Sequence, residues 1–315
     1  MSDPAVRTLV VGAGGFLGRA VRRASAERPR ATAAGSDVVR SASVPWADED
    51  AAVTALVDAI RSVRTPDAPW RIVWSAGTGV VATGAEVFEA EQRLIGRVLE
   101  TVADDAAAPG TLFFASSAGA VYAGSADAPF DEGTDPHPLA PYGRAKLAAE
   151  ARFRDWATTT STRLLVGRFS NLYGPGANLG KAQGLVSQLA LAHLEGRPSS
   201  IYVPTETTRD YLYIEDAASM VLDALDLVDE EPAGTAVTKI FASGQSATIA
   251  EVIATVEQAF GESLDVRDGA DPSATFQGLD LRFASRVLAE VDDRTFTDFT
   301  EGVRRTVEAL GRDRR

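Results

Sequence analysis

The run Val6-Arg7-Thr8-Leu9-Val10-Val11, followed at once by Gly12-Ala13-Gly14-Gly15-Phe16-Leu17-Gly18, decides the fold. The first six residues form a short apolar stretch with β-branched members that ends on a glycine, which predicts a buried strand. From Phe16 to Glu27 the apolar residues Phe16, Leu17, Ala20, Val21 and Ala24 recur at helical spacing. Between strand and helix the glycines have separate tasks. Gly12 permits the tight turn, Gly15 lets backbone approach a pyrophosphate, and Gly18 lets helix and strand pack closely. Phe16 and Leu17 open the helix, whose first N–H groups and partial positive charge suit a phosphate. A glycine triplet alone is weak evidence, and its place between strand and helix is what gives it meaning.

Outward from this loop the pattern alternates. Ala51–Val63, Glu86–Ala103 and Tyr142–Ala157 are expected helices; Arg71–Ser75, Thr111–Ala115 and Arg163–Arg168 are expected strands. A second strand is expected near Ala31–Gly35. Strands alternating with helices imply βαβ units and a parallel sheet. Beyond Tyr173 the texture changes. Gly174–Lys181 is a loop, Gly184–Leu194 a helix and Ser199–Arg209 a strand-and-loop piece. Tyr211–Leu227 and Lys239–Gly244 return to the sheet, and the chain is mostly helical from Ala247. The expected architecture is a Rossmann-type, doubly wound α/β sheet with a smaller, interleaved C-terminal lobe. The dinucleotide-binding part takes residues 1–172 with about 212–245. The substrate lobe takes about 173–211 with 246–315.

Composition narrows the chemistry. The 315 residues carry 31 Lys and Arg against 44 Asp and Glu, a formal charge of −13. Such an acidic chain is a poor partner for nucleic acid, which needs clustered cations. There is no Cys and there are two His, His137 and His193, so thiolate chemistry, disulfides and multi-histidine metal sites are excluded. No apolar run approaches membrane-spanning length, and the N-terminus does not resemble a signal peptide. A cytoplasmic protein with a small-molecule ligand and no metal is expected.

Tyr142-Gly143-Arg144-Ala145-Lys146 places a phenol and an ammonium four residues apart, on one helix face. A nearby Lys⁺ favours phenolate, which tunes the hydroxyl for proton transfer near neutral pH.

Glycine loop and Tyr–Lys pair together resemble the extended short-chain dehydrogenase/reductases, in the NAD-dependent epimerase/dehydratase group. Phe113-Phe114-Ala115-Ser116-Ser117-Ala118-Gly119-Ala120-Val121-Tyr122 resembles the family's strand and Ser-Ser-x-x-Val-Tyr turn. In many members the catalytic hydroxyl lies four residues before the second Tyr, and Ala118 stands there. A turn longer by one residue puts Ser117 in the role, with Ser116 in reserve. Ile72-Val73-Trp74-Ser75-Ala76-Gly77 resembles the strand whose small residues, here Ala76 and Gly77, lie under the cofactor. Arg168-Phe169-Ser170-Asn171-Leu172-Tyr173-Gly174-Pro175-Gly176 is similar to R-x-x-N-x-Y-G-P-G, which implies a sugar–diphosphate contact for Asn171 and a cofactor contact for Phe169. Arg209-Asp210-Tyr211-Leu212-Tyr213-Ile214-Glu215-Asp216-Ala217-Ala218 resembles R-D-[FY]-x-[YH]-V-x-D-x-A, where the Arg pairs with a nucleotide phosphate.

The resemblance implies a nucleotide-sugar substrate. Tyr142, Lys146 and Ser117 would be catalytic, Tyr142 and Lys146 also touching the cofactor, and Ser117, Asn171 and Arg209 would hold the substrate. Asp37, 19 residues past Gly18, suits the acid that binds the ribose of NAD, and Arg40 suits the 2′-phosphate of NADP. NAD is slightly favoured. Asp48 is the expected adenine contact. Ala118-Gly119-Ala120 lacks the Asp–Glu pair of the 4,6-dehydratases, which disfavours dehydration. Three functions remain open: an epimerase, an NADPH-dependent nucleotide-4-keto-sugar reductase, and a non-catalytic dinucleotide-binding sensor. The helices at Glu86–Ala103 and Tyr142–Ala157 have apolar positions to spare, so a homodimer built on them is expected.

Overall fold

The computed structural model describes residues 5–28, 38–77, 79, 83–180 and 184–312. Its main sheet has six parallel strands in the order β2-β1-β3-β4-β5-β9. These are β1 (Arg7–Val11), β2 (Val38–Ser41), β3 (Trp70–Trp74), β4 (Gly110–Ser117), β5 (Arg163–Phe169) and β9 (Ala236–Phe241). The central strands are buried on both faces, so they read as near-continuous apolar runs rather than alternating ones. Successive residues still serve opposite layers. Leu9, Ile72, Phe114 and Val166 pack towards α2 (Glu49–Val63), α3 (Ala85–Val102) and α5 (Pro141–Thr159). Val10, Val73, Phe113 and Leu165 pack towards α1 (Phe16–Glu27) and α7 (Ile214–Asp229). Helices on both faces make the doubly wound α/β arrangement read from the sequence.

From β1 the chain crosses to β2 on one side, and β3 lies on the other. Strand direction of travel reverses there, which opens a crevice at the carboxyl ends of β1 and β3. The glycine loop after β1 and Ala76 and Gly77 after β3 stand at that crevice.

The remaining elements build that second lobe. A short helix, α4 (Ala118–Val121), follows β4. Then β6 (Asn171–Tyr173), β8 (Thr208–Tyr213), β10 (Ser246–Thr248) and β12 (Asp280–Leu281) form a small sheet centred on β8. Beside it, α6 (Leu185–Leu194), α8 (Ile249–Phe260) and α9 (Phe299–Arg312) close a separate core around Tyr173, Leu189, Val252 and Val303. The pair β7 (Ser199–Ile201) and β11 (Val266–Asp268) completes it.

Three expectations need correction. The second strand begins at Val38, after the alanine-rich stretch rather than within it; residues 29–37 lie outside the described set. Tyr211–Leu227 does not rejoin the main sheet directly. Tyr211–Tyr213 stays in the small sheet on β8, and α7 then packs on the main sheet before β9 enters it. The C-terminal stretch mixes its helices with the short strands β10, β11 and β12, which are too brief to leave a periodic signal.

Candidate active site

The glycine loop is built as its composition predicts. Gly12 has φ +84°, and a Cβ there would stand 2.6 Å from the backbone nitrogen of Ala76. No L-residue meets both demands. Gly15 N donates to Gly12 O at 2.8 Å, closing the turn, and a Cβ on Gly18 would overlap Gly12 O. Gly15 is the N-cap of α1 and offers no side-chain cap, so the first N–H groups of the helix are left for a ligand. Phe16 is half-buried and Leu17 is buried against the sheet. Ala76 and Gly77 follow β3, with Ala76 packed against Gly12 of this loop.

On α5, Pro141 takes the first helical position, where its missing N–H costs no bond. A Cβ on Gly143 would overlap Ala120 O, so only glycine lets the start of α5 lie against α4. Tyr142 and Lys146 follow on one face. The Lys146 side chain is buried; its ammonium donates to Ala115 O at 3.1 Å and lies 5.7 Å from the centroid of the Tyr142 ring. Phe88 of α3 packs on Tyr142 with ring centroids 5.8 Å apart. The position a Cβ on Gly77 would take is 3.5 Å from both Lys146 Nζ and Glu91 Oε1. Glu91 thus brings a carboxylate to the same corner of the crevice, and Gln92 beside it donates to Ala145 O at 3.1 Å.

One turn beyond Lys146, Glu150 anchors the site from beneath. It is fully buried and accepts from Ser116 Oγ at 2.6 Å and from Arg168 at 3.0 and 2.7 Å, with a further bond from Arg154 at 3.1 Å. Arg168 also donates to the Tyr122 hydroxyl at 2.6 Å. Burial alone would raise the Glu150 carboxyl, but the hydrogen bonds and charge of Arg168 outweigh it and hold Glu150 below the usual carboxylate range.

This network separates the two serines. Ser116 is buried and engaged by Glu150, so its hydroxyl belongs to the scaffold and not to the crevice. Ser117 is half-buried at the exit of β4 and caps α4, accepting from Ala120 N at 3.3 Å. Ala118 is fully buried in an apolar cluster with Val121, Tyr122, Phe130 and Leu281.

Towards the second lobe, Asn171 begins β6, and its Oδ1 lies 3.8 Å from where a Cβ on Gly119 would be. Arg209 on β8 is buried, donating to Thr208 O at 2.9 Å and to Gln277 Oε1 at 3.4 Å. Among the described residues it has no carboxylate within ion-pair distance, and burial lowers its pKa. Asp210, its neighbour, is buried with its carboxylate turned away, accepting from Ser243 N at 3.1 Å and Gly244 N at 2.8 Å. Burial pushes the Asp210 carboxyl up to about 6.

Asp37 lies outside the described residues. Val38, the next residue, pairs with Arg7 at the entrance of β1, whereas Ser41 pairs with Val10 beside the glycine loop. The residues that leave β2 at the crevice are therefore Arg40, Ser41, Ala42 and Ser43. Asp48 caps α2, accepting from Ala51 N at 3.1 Å. Phe169 ends β5 with its ring in the core, 4.9 Å from that of Phe241. Glu91 and Glu150 were not singled out by sequence reading. Glu150 had a signal, since it continues the Tyr142, Lys146 face at the next i+4 step. Glu91 sits among other helix charges and had none.

Residues 8–238 match the model of the NAD dependent epimerase/dehydratase family. The chain is 30% identical over 158 residues to the dTDP-L-rhamnose 4-epimerase of Burkholderia thailandensis, covering 50% of this chain and 41% of that one. It is 28% identical over 203 residues to the dTDP-4-dehydro-6-deoxyglucose reductase of Escherichia coli, covering 63% of this chain and 61% of the other. The chain thus spans about two to three fifths of the length of these curated relatives. In fold it is similar to MoeE5, solved in complex with UDP-glucose and NAD, with a TM-score of 0.78 at 22% identity, over 98% of this chain and 100% of that one. With the glycine loop, the Tyr142–Lys146 face and the family match in agreement, the chain belongs to the NAD dependent epimerase/dehydratase family.

Proposed function

We propose that this protein catalyses oxidoreduction at a ring carbon of a nucleotide-linked sugar, using a nicotinamide dinucleotide, with epimerisation as the first reading. The observation that carries it is the Tyr142–Lys146 pair, set beside Gly77 at one end of the crevice, with Arg209 buried on the second lobe and in no ion pair among the described residues. The close-packed glycine turn and the open N-terminus of α1 fit a dinucleotide pyrophosphate. Gly12, Gly15, Phe16, Leu17 and Gly18 would hold it, with Ala76, Gly77 and Phe169 along its length and Asp48 at the adenine.

The chemistry such a dinucleotide supplies when bound is acceptance and return of a hydride. Tyr142 removes the proton of the sugar hydroxyl as the carbon is oxidised and returns it on reduction. Lys146 stabilises the phenolate and holds the adjacent ribose. Ser117 orients the sugar oxygen. Asn171 and Arg209 grip the diphosphate, Arg209 by charge-assisted bonds that repay its burial. In an epimerase both half-reactions occur and the sugar turns over between them.

A second reading, reduction of a nucleotide-4-keto-sugar, is supported by the relative named as a reductase. Dehydration is not supported, because Ala118-Gly119-Ala120 offers no carboxylate. The sensor reading would leave Tyr142 without a task. Denaturing the purified protein and identifying any released nucleotide tests the proposal. Retained NAD supports internal recycling and epimerisation of UDP- or dTDP-sugars. An empty site that turns over keto sugars only with added reductant supports the reductase. Failure to bind any dinucleotide would remove both.

The same reading includes the two lobes as delimited from sequence and a homodimer through α3 and α5. The residues those helices leave exposed include Val87, Arg93 and Arg97 on α3 and Arg144, Ala148 and Arg152 on α5, so their contact would be largely polar. Sedimentation velocity at low and high salt checks it, a polar interface weakening as salt rises.

A further inference from the structure

We infer that Lys239 and Glu132 are positioning residues for the substrate site. Through Ser285 they fix the register of the segment 277–287, and so decide which of its side chains faces the bound nucleotide sugar. The inference rests on the nucleotide-sugar reading above and names residues that hold that site from outside it.

The segment meets the site at its first end. Gln277 Oε1 accepts from Arg209 at 3.4 Å, Thr208 N donates to Leu279 O at 2.8 Å, and Leu281 pairs with Arg209 across β12 and β8. Leu281 Cδ1 lies 3.7 Å from where a Cβ on Gly119 would stand, beside Asn171 Oδ1 at 3.8 Å. Onward the side chains alternate, Leu281 and Phe283 being buried and Arg282, Ala284 and Arg286 exposed. A slip of one residue would bring Asp280 or Arg282 to the place of Leu281, setting a charge against Gly119 and Asn171. A slip of two would keep the alternation, so the apolar pattern alone does not exclude it. β12 is two residues long, and its own ladder offers little against either.

The register is held further along. Phe130 N donates to Arg282 O at 2.9 Å, and Ala284 N to Phe130 O at 2.8 Å. Ser285 Oγ then donates to Glu132 Oε1 at 2.6 Å and accepts from Lys239 Nζ at 2.9 Å. Glu132 also accepts from Arg286 N at 2.9 Å and from Ile240 N of β9 at 2.8 Å. Lys239, on β9, is fully buried and donates further to Val287 O at 2.8 Å and Asp292 Oδ2 at 2.7 Å. All three ammonium protons are thereby used. A slip by one or two residues would carry Ser285 and the Val287 carbonyl away from Lys239 and leave a buried cation short of acceptors, which is costly. Polar groups that meet in only one register specify it more sharply than apolar contacts do. Glu132 belongs to the connection that leads into α5, so the same carboxylate ties this segment to the approach of the helix carrying Tyr142 and Lys146.

The test is equilibrium binding to the full-length protein, with no turnover required. UDP, dTDP and NAD⁺ are titrated by calorimetry into native protein, Glu132→Ala, Glu132→Gln and Ser285→Ala. Glu132→Ala is expected to weaken UDP or dTDP about tenfold or more, the scale on which one charge-assisted bond contributes, with NAD⁺ affinity unchanged. Glu132→Gln keeps an acceptor oxygen and should lose less than Glu132→Ala. Ser285→Ala should act in the same direction, and deuterium exchange across 277–287 should quicken while that of β1 and β3 does not. Circular dichroism verifies folding, and if Glu132→Ala does not fold, Ser285→Ala decides the matter. Unchanged UDP and dTDP affinity in the folded variants, or a loss shared equally by NAD⁺, would overturn this inference while leaving the nucleotide-sugar reading intact. Native protein that binds neither UDP nor dTDP would overturn it together with the reading beneath it.

Discussion

Glu150 of α5 and Arg168 of β5 meet in a buried two-point ion pair, Nε to Oε1 at 3.0 Å and Nη2 to Oε2 at 2.7 Å. The same carboxylate takes the Ser116 hydroxyl, so α5, β4 and β5 are joined at one group. Removing it leaves Arg168 charged and buried without its partner. Glu150→Ala is expected to destabilise the protein by about 3–5 kcal/mol, measured by urea denaturation. A loss below about 1 kcal/mol would show that the junction is relaxed by water or by neighbouring groups.

Tyr142 and Lys146 should separate by their effects on stability. Tyr142→Phe is expected to lower kcat by about 10²- to 10⁴-fold with dinucleotide binding and melting temperature retained, because no hydrogen bond of the described structure depends on its hydroxyl. Lys146→Met should lower turnover and also stability, since it removes the bond to Ala115 O. Full turnover in Tyr142→Phe would remove Tyr142 from the proton transfer.

The serine pair divides the other way. Ser117→Ala should lower turnover and remove a helix cap, a cost of about 1 kcal/mol. Ser116→Ala should cost about 1–3 kcal/mol through the lost hydrogen bond to the charged Glu150 and change KM little. If Ser116→Ala abolishes turnover at unchanged stability, the roles assigned here are exchanged.

Arg209→Leu replaces a buried cation, which has no carboxylate partner among the described residues, by an apolar group of similar reach. Affinity for UDP or dTDP is expected to fall at least about tenfold, with no fall in melting temperature, read by calorimetry and thermal denaturation.

Asp210 makes stability depend on pH. Its folded-state value of about 6 lies above the roughly 3.9 of an unfolded Asp. The contribution of this group is therefore fully present below about pH 4 and is lost as pH rises through about 6. Over that window the change is on the order of 3 kcal/mol. Comparison of wild type with Asp210→Asn, by urea denaturation from pH 4.5 to 7.5, should show a shallower slope in the variant.

The main sheet was legible because its strands are apolar runs bounded by glycines and its helices keep a steady 3.6-residue period. The glycine loop and the Tyr142–Lys146 face followed, since their spacing is local. The second lobe was less so: β6, β10 and β12 are two or three residues long, and their pairing is decided by partners distant in sequence. The start of β2 at Val38 was hidden for a related reason, since the register of β2 against β1 is fixed by hydrogen bonds that spacing does not report. That Ser116 is engaged and Ser117 is not could not be read from spacing, because Glu150 approaches from another element.

The interleaving of the chain bears on how the protein is made. β5 is finished at Phe169, but the strand that covers its outer edge, β9, begins only at Ala236, after β6 to β8, α6 and α7 have been synthesised. Until then a nascent chain presents β5 with a row of unpaired N–H and C=O groups, the kind of edge that recruits foreign strands. The segment from β6 to α7 must therefore emerge before the main sheet can be closed, so chains truncated between Phe169 and Phe241 are the ones expected to aggregate.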